Sequence, residues 1–264
     1  MNPMLNIAIR AARKAGNVIA KSYERRDDLQ TVTKGINDFV TNVDKAAEAA
    51  IIETIRASYP DHTIITEESG ALEGKDKEIQ WVIDPLDGTT NFIKGFPHFS
   101  VSIAIRVKGR TEVGVVYDPI NNELFTGVRG EGAKLNDLRL RVTEKRDLQG
   151  TILATGFPFK QPKLMPAQFA MMTSLAESAA DFRRTGSAAL DLCYVAAGRV
   201  DAYFEMGVKA WDIAAGELIA REAGALVCDF AGGHNYLKEG NVVVSSPRVV
   251  KEILTKIQPH FNQI

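Results

Sequence analysis

The chain has 264 residues, 45% hydrophobic and 25% charged, a balance typical of a globular protein with its own core. Its formal net charge of −1 gives no electrostatic reason to expect nucleic acid as the main ligand. The two cysteines, Cys193 and Cys228, lack CxxC spacing, which argues against a disulfide framework and a structural zinc site. No apolar run has the length of a signal peptide or a membrane span, so we expect a cytoplasmic protein without a membrane partner.

Hydrophobic periodicity predicts two helices and then a meander of strands in the first half. The apolar face of the first helix consists of residues spaced by three or four positions, Leu5, Ala8, Ala12, Ala15 and Ile19. A second helix is predicted at about residues 44–58, just before a proline. Residues 101–107 alternate between apolar and polar, which predicts a half-buried strand. Residues 112–118 and 123–128 predict its antiparallel successors.

The second half alternates helices with strands, a pattern that predicts layered helices and sheets. The predicted strands are residues 151–155, 181–183, 200–205, 225–228 and 241–245, and the predicted helices are 165–178, 187–197, 213–223 and one from 247 onwards. Residues 161–166 contain two prolines and are the best candidate junction. Because this segment is too short for a free linker, we expect one domain with two packed subdomains, approximately 1–160 and 161–264.

The strongest local signal is the segment 81–91, WVIDPLDGTTN. An apolar strand ends at Asp84, a proline fixes a bend, and Asp87 can point to the same side. Gly88 and Thr89 then offer free backbone amides at the start of a helix, where phosphate can bind. Two carboxylates would repel a phosphate unless cations lie between them, and hard oxygen ligands indicate Mg²⁺ rather than zinc. The alternative is an ordinary surface turn made from Asp-Pro and Asp-Gly.

Two further acidic positions favour a shared cation site. Glu67 follows a short apolar strand, and Asp212 stands where a helix begins. Taken singly, Glu67 fits a solvated strand end or a helix cap equally well, and Asp212 fits an ordinary N-cap. The residue pattern therefore favours a common ion for these carboxylates and leaves the alternatives open.

Over nearly its whole length, from residue 34 to residue 241, the chain resembles the inositol monophosphatase family. The likeness is carried by two signature segments, 81–91 and 211–216, which occur in the family's order with Glu67 upstream. The resemblance implies an α+β fold, the layered α-β-α-β-α sandwich of the sugar-phosphatase superfamily that includes inositol monophosphatase and fructose bisphosphatase. It also implies a homodimer.

The resemblance implies a set of metal ligands. Glu67, Asp84 and the Leu86 carbonyl resemble the ligands of a first, activating metal. Asp84, Asp87 and Asp212 resemble those of a second metal, with Asp84 as the bridge. The cofactor implied is Mg²⁺, two or three ions per site, with inhibition by Li⁺.

The same resemblance implies catalytic and substrate-binding residues. Thr89 and Asp44 resemble a pair that activates water together with Glu67, and Asp87, Gly88 and Thr89 resemble residues at the phosphate. Glu205 matches a carboxylate that binds inositol hydroxyls, although a surface charge at a strand end is the alternative. The segment that lines the other side of the sugar ring is matched by Gly186, Ser187 and Ala188.

The function implied is Mg-dependent hydrolysis of myo-inositol monophosphate and related polyol phosphates to the free alcohol and phosphate by metal-activated water. Within the family, residues 152–159, 181–186 and 232–236 are most similar to a bacterial type that acts with RNA polymerase and Nus factors in ribosomal RNA antitermination. The alternative is that this binding role is the main one and catalysis is secondary. Arg184 is our candidate for a dimer or transcription-factor interface, where arginine is often an anchor. The alternative is that the adjacent Arg183 and Arg184 form an ordinary salt-bridged strand edge.

Overall fold

The computed structural model describes residues 2–25, 29–35 and 38–261. Its helices are α1 (Pro3–Tyr23), α2 (Asn42–Ser58), α3 (Thr89–Lys94), α4 (Met165–Ala176), α5 (Ala188–Ala196), α6 (Ala210–Glu222), α7 (Tyr236–Glu239) and α8 (Pro247–Phe261). Its strands are β1 (Thr31–Gly35), β2 (Asp38–Thr41), β3 (His62–Thr66), β4 (Gly70–Leu72), β5 (Asp76–Asp87), β6 (Ser100–Val107), β7 (Arg110–Asp118), β8 (Glu123–Val128), β9 (Gly132–Leu135), β10 (Leu138–Arg139), β11 (Ile152–Thr155), β12 (Asp181–Arg183), β13 (Ala202–Met206), β14 (Leu226–Cys228) and β15 (Asn241–Ser245).

Two large sheets organise the strands. The first has eight strands in the order β10-β9-β8-β7-β6-β5-β3-β4, antiparallel except for the parallel pair β3 and β5. The second has five strands in the order β12-β11-β13-β15-β14, of which β12, β11 and β13 run parallel. The remaining strands, β1 and β2, form an antiparallel hairpin.

The two sheets and three pairs of helices form five layers. One hydrophobic cluster joins α1 and α2 to the first sheet, and another joins α4 and α8 to the second sheet. The third cluster lies between the two sheets and contains α5 and α6. The predicted α-β-α-β-α sandwich is therefore confirmed.

The helices α1 and α2 begin at capping residues that the sequence supplies. The side chain of Asn2 caps α1 by accepting a hydrogen bond from the Met4 amide, and a proline occupies the first turn. Small residues on its buried face, Ala8, Ala12 and Ala15 among them, are fully buried. Thr41 and Asp44 form a capping box at the start of α2, which also fixes the Asp44 carboxylate.

The prediction that β6 is half-buried is wrong, because both of its faces are covered. Ser100, Ser102 and Ala104 are almost fully buried on the face that alternation assigned to solvent. The cause is α6, which packs on this face, and two glycines of neighbouring strands allow its close approach. A Cβ atom on Gly114 would lie 2.5 Å from the Ala215 carbonyl oxygen, and one on Gly127 would lie 3.1 Å from the Ile219 Cα.

Most other predicted elements are present within a few residues of their predicted ends, with two differences near the site. The apolar strand does not stop at Asp84: β5 continues to Asp87 through an irregular register between them. The second sheet begins with β11, ahead of the junction predicted at residues 161–166, and the division into subdomains stays a prediction. In the described ranges, no helix combines the length and the apolar character that a membrane crossing needs.

Candidate active site

A pocket of about 590 Å³ opens where elements of both sheets meet. Its walls come from the end of β5, the first turns of α3, α5 and α6, and the ends of β11 and β13. The residues predicted for the site that line this pocket are Glu67, Asp84, Leu86, Asp87, Gly88, Thr89, Arg184, Gly186, Ser187, Ala188, Glu205 and Asp212. The fold therefore brings together side chains that are far apart in the sequence, while their individual roles stay predictions.

The irregular end of β5 turns two carboxylates into the pocket. Asp84 is 2% exposed, and its Oδ1 accepts a hydrogen bond from the Leu86 amide at 2.9 Å. Asp87 is 9% exposed, and its Oδ2 accepts from the Ser187 hydroxyl at 2.6 Å and from the Ala189 amide at 2.8 Å. Because these donors stand at the start of α5, the Asp87 carboxylate also joins the two halves of the site.

A threonine and an aspartate form a second buried group. The Thr89 hydroxyl lies 3.0 Å from Asp44 Oδ1 and 3.0 Å from the Leu86 carbonyl oxygen, and its single proton can be donated to one of them at a time. Asp44 Oδ2 accepts hydrogen bonds from the amide and the hydroxyl of Thr41 at 2.9 and 2.5 Å. Burial raises the pKa of the Asp44 carboxyl, and these hydrogen bonds act against that rise.

The other two predicted ligands, Glu67 and Asp212, are positioned by different elements. Glu67 follows β3, and its amide donates to the Ile83 carbonyl of β5 at 3.2 Å. Asp212 lies in the first turn of α6, where its Oδ2 accepts from the Lys209 amide at 2.7 Å. The Ser102 hydroxyl bonds the Trp211 carbonyl at 3.1 Å and so ties the start of α6 to the first sheet.

The carboxylates destabilise one another's charges. Burial raises the pKa of Asp84 well above its ordinary value, and the charges of Glu67, Asp87 and Asp212 raise it further. Burial likewise raises the pKa of Asp212, with Asp87 and Glu67 adding to the effect. The pKa of Asp87 rises to about 6 through burial, although its bonds from Ser187 and Ala189 oppose the rise.

These groups have the chemistry of a magnesium site. All are oxygen donors of the kind that Mg²⁺ prefers, and their mutual repulsion is what a bound cation would relieve. In the side-chain arrangement of residues 2–25, 29–35 and 38–261, no three carboxylate, imidazole or thiol groups converge closely enough to enclose an ion. The donor set therefore matches Mg²⁺ in its chemistry and shares one pocket, and its role as a metal site stays a prediction.

A separate acidic group lies on the far wall of the pocket. The Tyr203 hydroxyl donates to Glu205 Oε2 at 2.7 Å, and burial raises the pKa of Glu205 to about 7. The Glu205 carboxylate occupies the space beside Gly156: the Cβ of any other residue at 156 would lie 2.0 Å from Glu205 Oε1, so the carboxylate would have to move. Asp191 is 1% exposed and accepts from the Thr185 hydroxyl at 2.7 Å.

Arg184 lies at the mouth of the pocket with an exposed side chain. Its guanidinium carbon is 5.6 Å from the centre of the Phe159 ring and 6.0 Å from that of Phe157, within cation–π distance. Burial raises the pKa of Glu205 and of Asp191, and the Arg184 charge opposes that rise at both carboxyls. An interface role for Arg184 stays a prediction.

Sequence reasoning missed Tyr203, Asp191 and Gly156. Asp191 had a signal, since it interrupts the otherwise apolar run AALDLCYVA of α5. In the sequence, Tyr203 looks like an ordinary aromatic residue of a strand. The role of Gly156, which leaves space for the Glu205 carboxylate, is visible only in the folded structure. No local pattern distinguishes these two residues.

We expect Asp87→Asn to stabilise the metal-free protein at pH 7.5. Since the folded-state pKa of about 6 lies above the ordinary 3.8, the stability linked to this carboxyl is present below pH 4 and lost as the pH rises through 6. The free energy of unfolding of the variant should exceed that of the parent by about 1–3 kcal/mol at pH 7.5, and the difference should vanish near pH 4.

Urea unfolding at both pH values, with a chelator present, measures this difference. The control is Glu144→Gln, which removes a charge from an exposed side chain. A variant that is less stable than the parent at pH 7.5 would mean that the hydrogen bonds from Ser187 and Ala189 outweigh the burial of the Asp87 charge.

Known proteins are similar to this chain over nearly its full length. Residues 1–262 match the inositol monophosphatase family. A protein of Pasteurella multocida named Nus factor SuhB is 81% identical over 259 residues, which cover 98% of this chain and 97% of that protein. Nus factor SuhB of Escherichia coli K12 is 67% identical over 262 residues, with 99% and 98% covered.

Solved structures of the same fold are also similar to this chain over nearly its full length. The crystal structure of extragenic suppressor protein suhB from Bartonella henselae has a TM-score of 0.95 at 37% identity, covering 97% of this chain and 99% of that one. A structure described as inositol monophosphate bound SaIMPase-II has a TM-score of 0.82 at 26% identity, covering 98% and 96%. With the fold, the pocket and both signature segments in agreement, the chain belongs to the inositol monophosphatase family.

Proposed function

We propose that this protein is a Mg²⁺-dependent phosphomonoesterase that hydrolyses myo-inositol monophosphate and related polyol phosphates. The observation that carries the proposal is the set of repelling carboxylates Glu67, Asp84, Asp87 and Asp212 in one pocket, next to the Thr89–Asp44 pair. Membership of a phosphatase family that is generally Mg-dependent supports it. A neighbouring structure described as inositol monophosphate bound supports the choice of substrate.

The residues that would hold magnesium are Glu67, Asp84, Asp87, Asp212 and the Leu86 carbonyl. When bound, Mg²⁺ supplies positive charge that neutralises the phosphate and favours ionisation of water. The amides of Gly88 and Thr89 would bind phosphate oxygens. Gly88 has a φ of 96°, and a Cβ there would lie 3.0 Å from the His98 carbonyl oxygen, so the turn that presents these amides requires glycine.

Thr89 and Asp44 would move the proton of the attacking water. As the water oxygen bonds to phosphorus, a water proton passes to Thr89 Oγ and the threonine proton passes to Asp44 Oδ1. The ester P–O bond breaks with its electron pair on the leaving oxygen, which takes a proton from solvent to give the free alcohol, and Asp44 returns its proton to solvent. The 3.0 Å contact between these two atoms allows this transfer. The raised pKa of Asp44 makes its carboxylate a stronger proton acceptor.

Asp84→Asn tests the proposal. The change keeps the shape of the side chain and removes an anionic ligand assigned to both metals, so we expect a loss of about 4 kcal/mol of transition-state stabilisation, or roughly 10³-fold in rate. The measurement is phosphate release from inositol monophosphate, fructose bisphosphate and nucleotide phosphates at saturating Mg²⁺, with Li⁺ expected to inhibit the parent.

The matched control is Asp137→Asn, because Asp137 is exposed and asparagine tolerates its positive φ of 68°. Turnover of Asp84→Asn equal to that of this control would contradict the two-metal assignment.

Glu205 is proposed to bind the polyol hydroxyls. Its carboxylate is held in the pocket by Tyr203 and lies against the backbone of Gly156. We expect Glu205→Gln and Glu205→Ala to lower turnover of inositol monophosphate more than that of p-nitrophenyl phosphate, by about 1–3 kcal/mol in selectivity. Ratios of kcat/KM for the two substrates measure this difference, and equal losses on both would make Glu205 a structural residue or part of the metal site.

A second function is favoured by the name of the 81% identical relative, Nus factor SuhB. We propose that this protein also binds RNA polymerase and Nus factors in antitermination, as a homodimer in the cytoplasm, with Arg184 at the interface. Whether this binding role outweighs catalysis can be tested, because Asp84 is buried in the pocket and the Arg184 side chain is exposed.

Capture of purified RNA polymerase and Nus factors should separate the two functions. Asp84→Asn is expected to retain full capture without hydrolysis, whereas Arg184→Ala should weaken capture by roughly 2 kcal/mol, the scale of an interface anchor. The control is the neighbouring Arg183→Ala, since Arg183 is exposed and paired with Asp181. If Arg184→Ala loses phosphate release with capture and sedimentation unchanged, Arg184 belongs to the active site instead.

A further inference from the structure

We propose that Glu48, a residue of α2 outside the pocket, positions Glu67 and thereby sets the metal affinity of the site. The inference rests on the proposed function, because the position of Glu67 matters to the chemistry only if Glu67 binds an ion. Glu48 is a positioning residue in this proposal and touches neither the metal nor the substrate.

Glu48 is 4% exposed and is directed at the turn that connects β3 to β4. Its Oε2 accepts hydrogen bonds from the Glu68 amide at 3.2 Å and the Ser69 amide at 3.3 Å. Its Oε1 accepts from the Ser69 hydroxyl. One carboxylate on the helix therefore binds three donors of two consecutive turn residues.

These bonds complete a clamp around the Glu67 backbone. On one side, the Glu67 amide donates to the Ile83 carbonyl of β5 at 3.2 Å. On the other side, the next two amides donate to Glu48, and the Ser69 amide is shared with the Thr66 hydroxyl at 3.1 Å. Because Glu67 lies between the two anchors, rotation about its φ or ψ would strain these hydrogen bonds.

The clamp links the predicted ligand to the same helix that carries the predicted water-activating residue. Asp44 and Glu48 are one turn apart on α2, so the Asp44 carboxylate and the Glu67 turn are located by one rigid element. Partners that orient a metal ligand typically change metal affinity by about 10–100-fold when they are removed.

The alternative is that Glu48 only stabilises the β3–β4 turn. Two variants of Glu48 that differ in side-chain length distinguish the two roles. In Glu48→Asp the carboxylate is one methylene shorter and draws back from the turn amides. In Glu48→Gln the amide oxygen can still accept from both turn amides, and its NH₂ group can donate to the Ser69 oxygen.

The test is direct binding of Mn²⁺, followed through the EPR signal of the free ion, to folded protein without substrate. We expect Glu48→Ala and Glu48→Asp to weaken Mn²⁺ binding by about 10-fold or more, and Glu48→Gln to stay within about threefold of the parent. Thermal melts of each variant establish that the protein measured is folded. The control on the same helix is Glu53→Ala, whose side chain is exposed.

The inference is overturned if Glu48→Asp binds Mn²⁺ like Glu53→Ala, or if Glu48→Gln loses as much affinity as Glu48→Asp. Should Glu48→Ala fail to fold, the comparison of the aspartate and glutamine variants decides alone. Glu67→Gln tests the premise separately. If it binds Mn²⁺ as tightly as the parent, the ligand assignment of the proposed function fails and the inference falls with it.

Discussion

Mutual repulsion among the buried carboxylates is the constraint on which the rest of this structure depends. Asp84, Asp87 and Asp212 each have a pKa raised by burial, and the charges of neighbouring carboxylates raise those of Asp84 and Asp212 further. A fold without a cation-dependent task would gain stability by replacing such a group with neutral residues. The surrounding elements instead hold these carboxylates in one pocket, where a backbone amide donates to each of them and the Ser187 hydroxyl also donates to Asp87.

The five-layer architecture explains how that arrangement is maintained. The central layer lies between the two sheets, and it supplies the Ser187 and Ala189 donors through α5 and Asp212 through α6. The approach of α6 depends on the missing side chain of Gly114. Asp212, a predicted metal ligand, lies about one turn before Ala215, the residue of α6 that packs on Gly114. The packing of the core therefore fixes the position of this ligand.

Sequence reasoning predicted what has a local signature. Periodicity identified α1 and the strands of the meander, and the Asp-Pro-x-Asp-Gly pattern identified the pocket end of β5. It failed where tertiary contacts decide, as at β6, whose alternating serines are buried because α6 covers them. The partnership of Tyr203 with Glu205 and the clamp formed by Glu48 were equally invisible, since their partners meet only after folding. The ligand roles came from the resemblance to a family and could not have come from spacing.

The separation between the interior and the rim of the pocket bears on how one chain could carry two functions. Hydrolysis would use carboxylates such as those of Asp84 and Asp87, which are at most 9% exposed, whereas a protein partner can contact only exposed groups such as Arg184 and its aromatic neighbours. The two sets are nevertheless coupled, because the Arg184 charge lowers the pKa of Asp87 and of Glu205 inside the pocket. Because burial raises the pKa of both carboxyls, the guanidinium at the rim favours the charged form of groups inside the pocket. The rim and the interior of the pocket are therefore linked by charge as well as by packing.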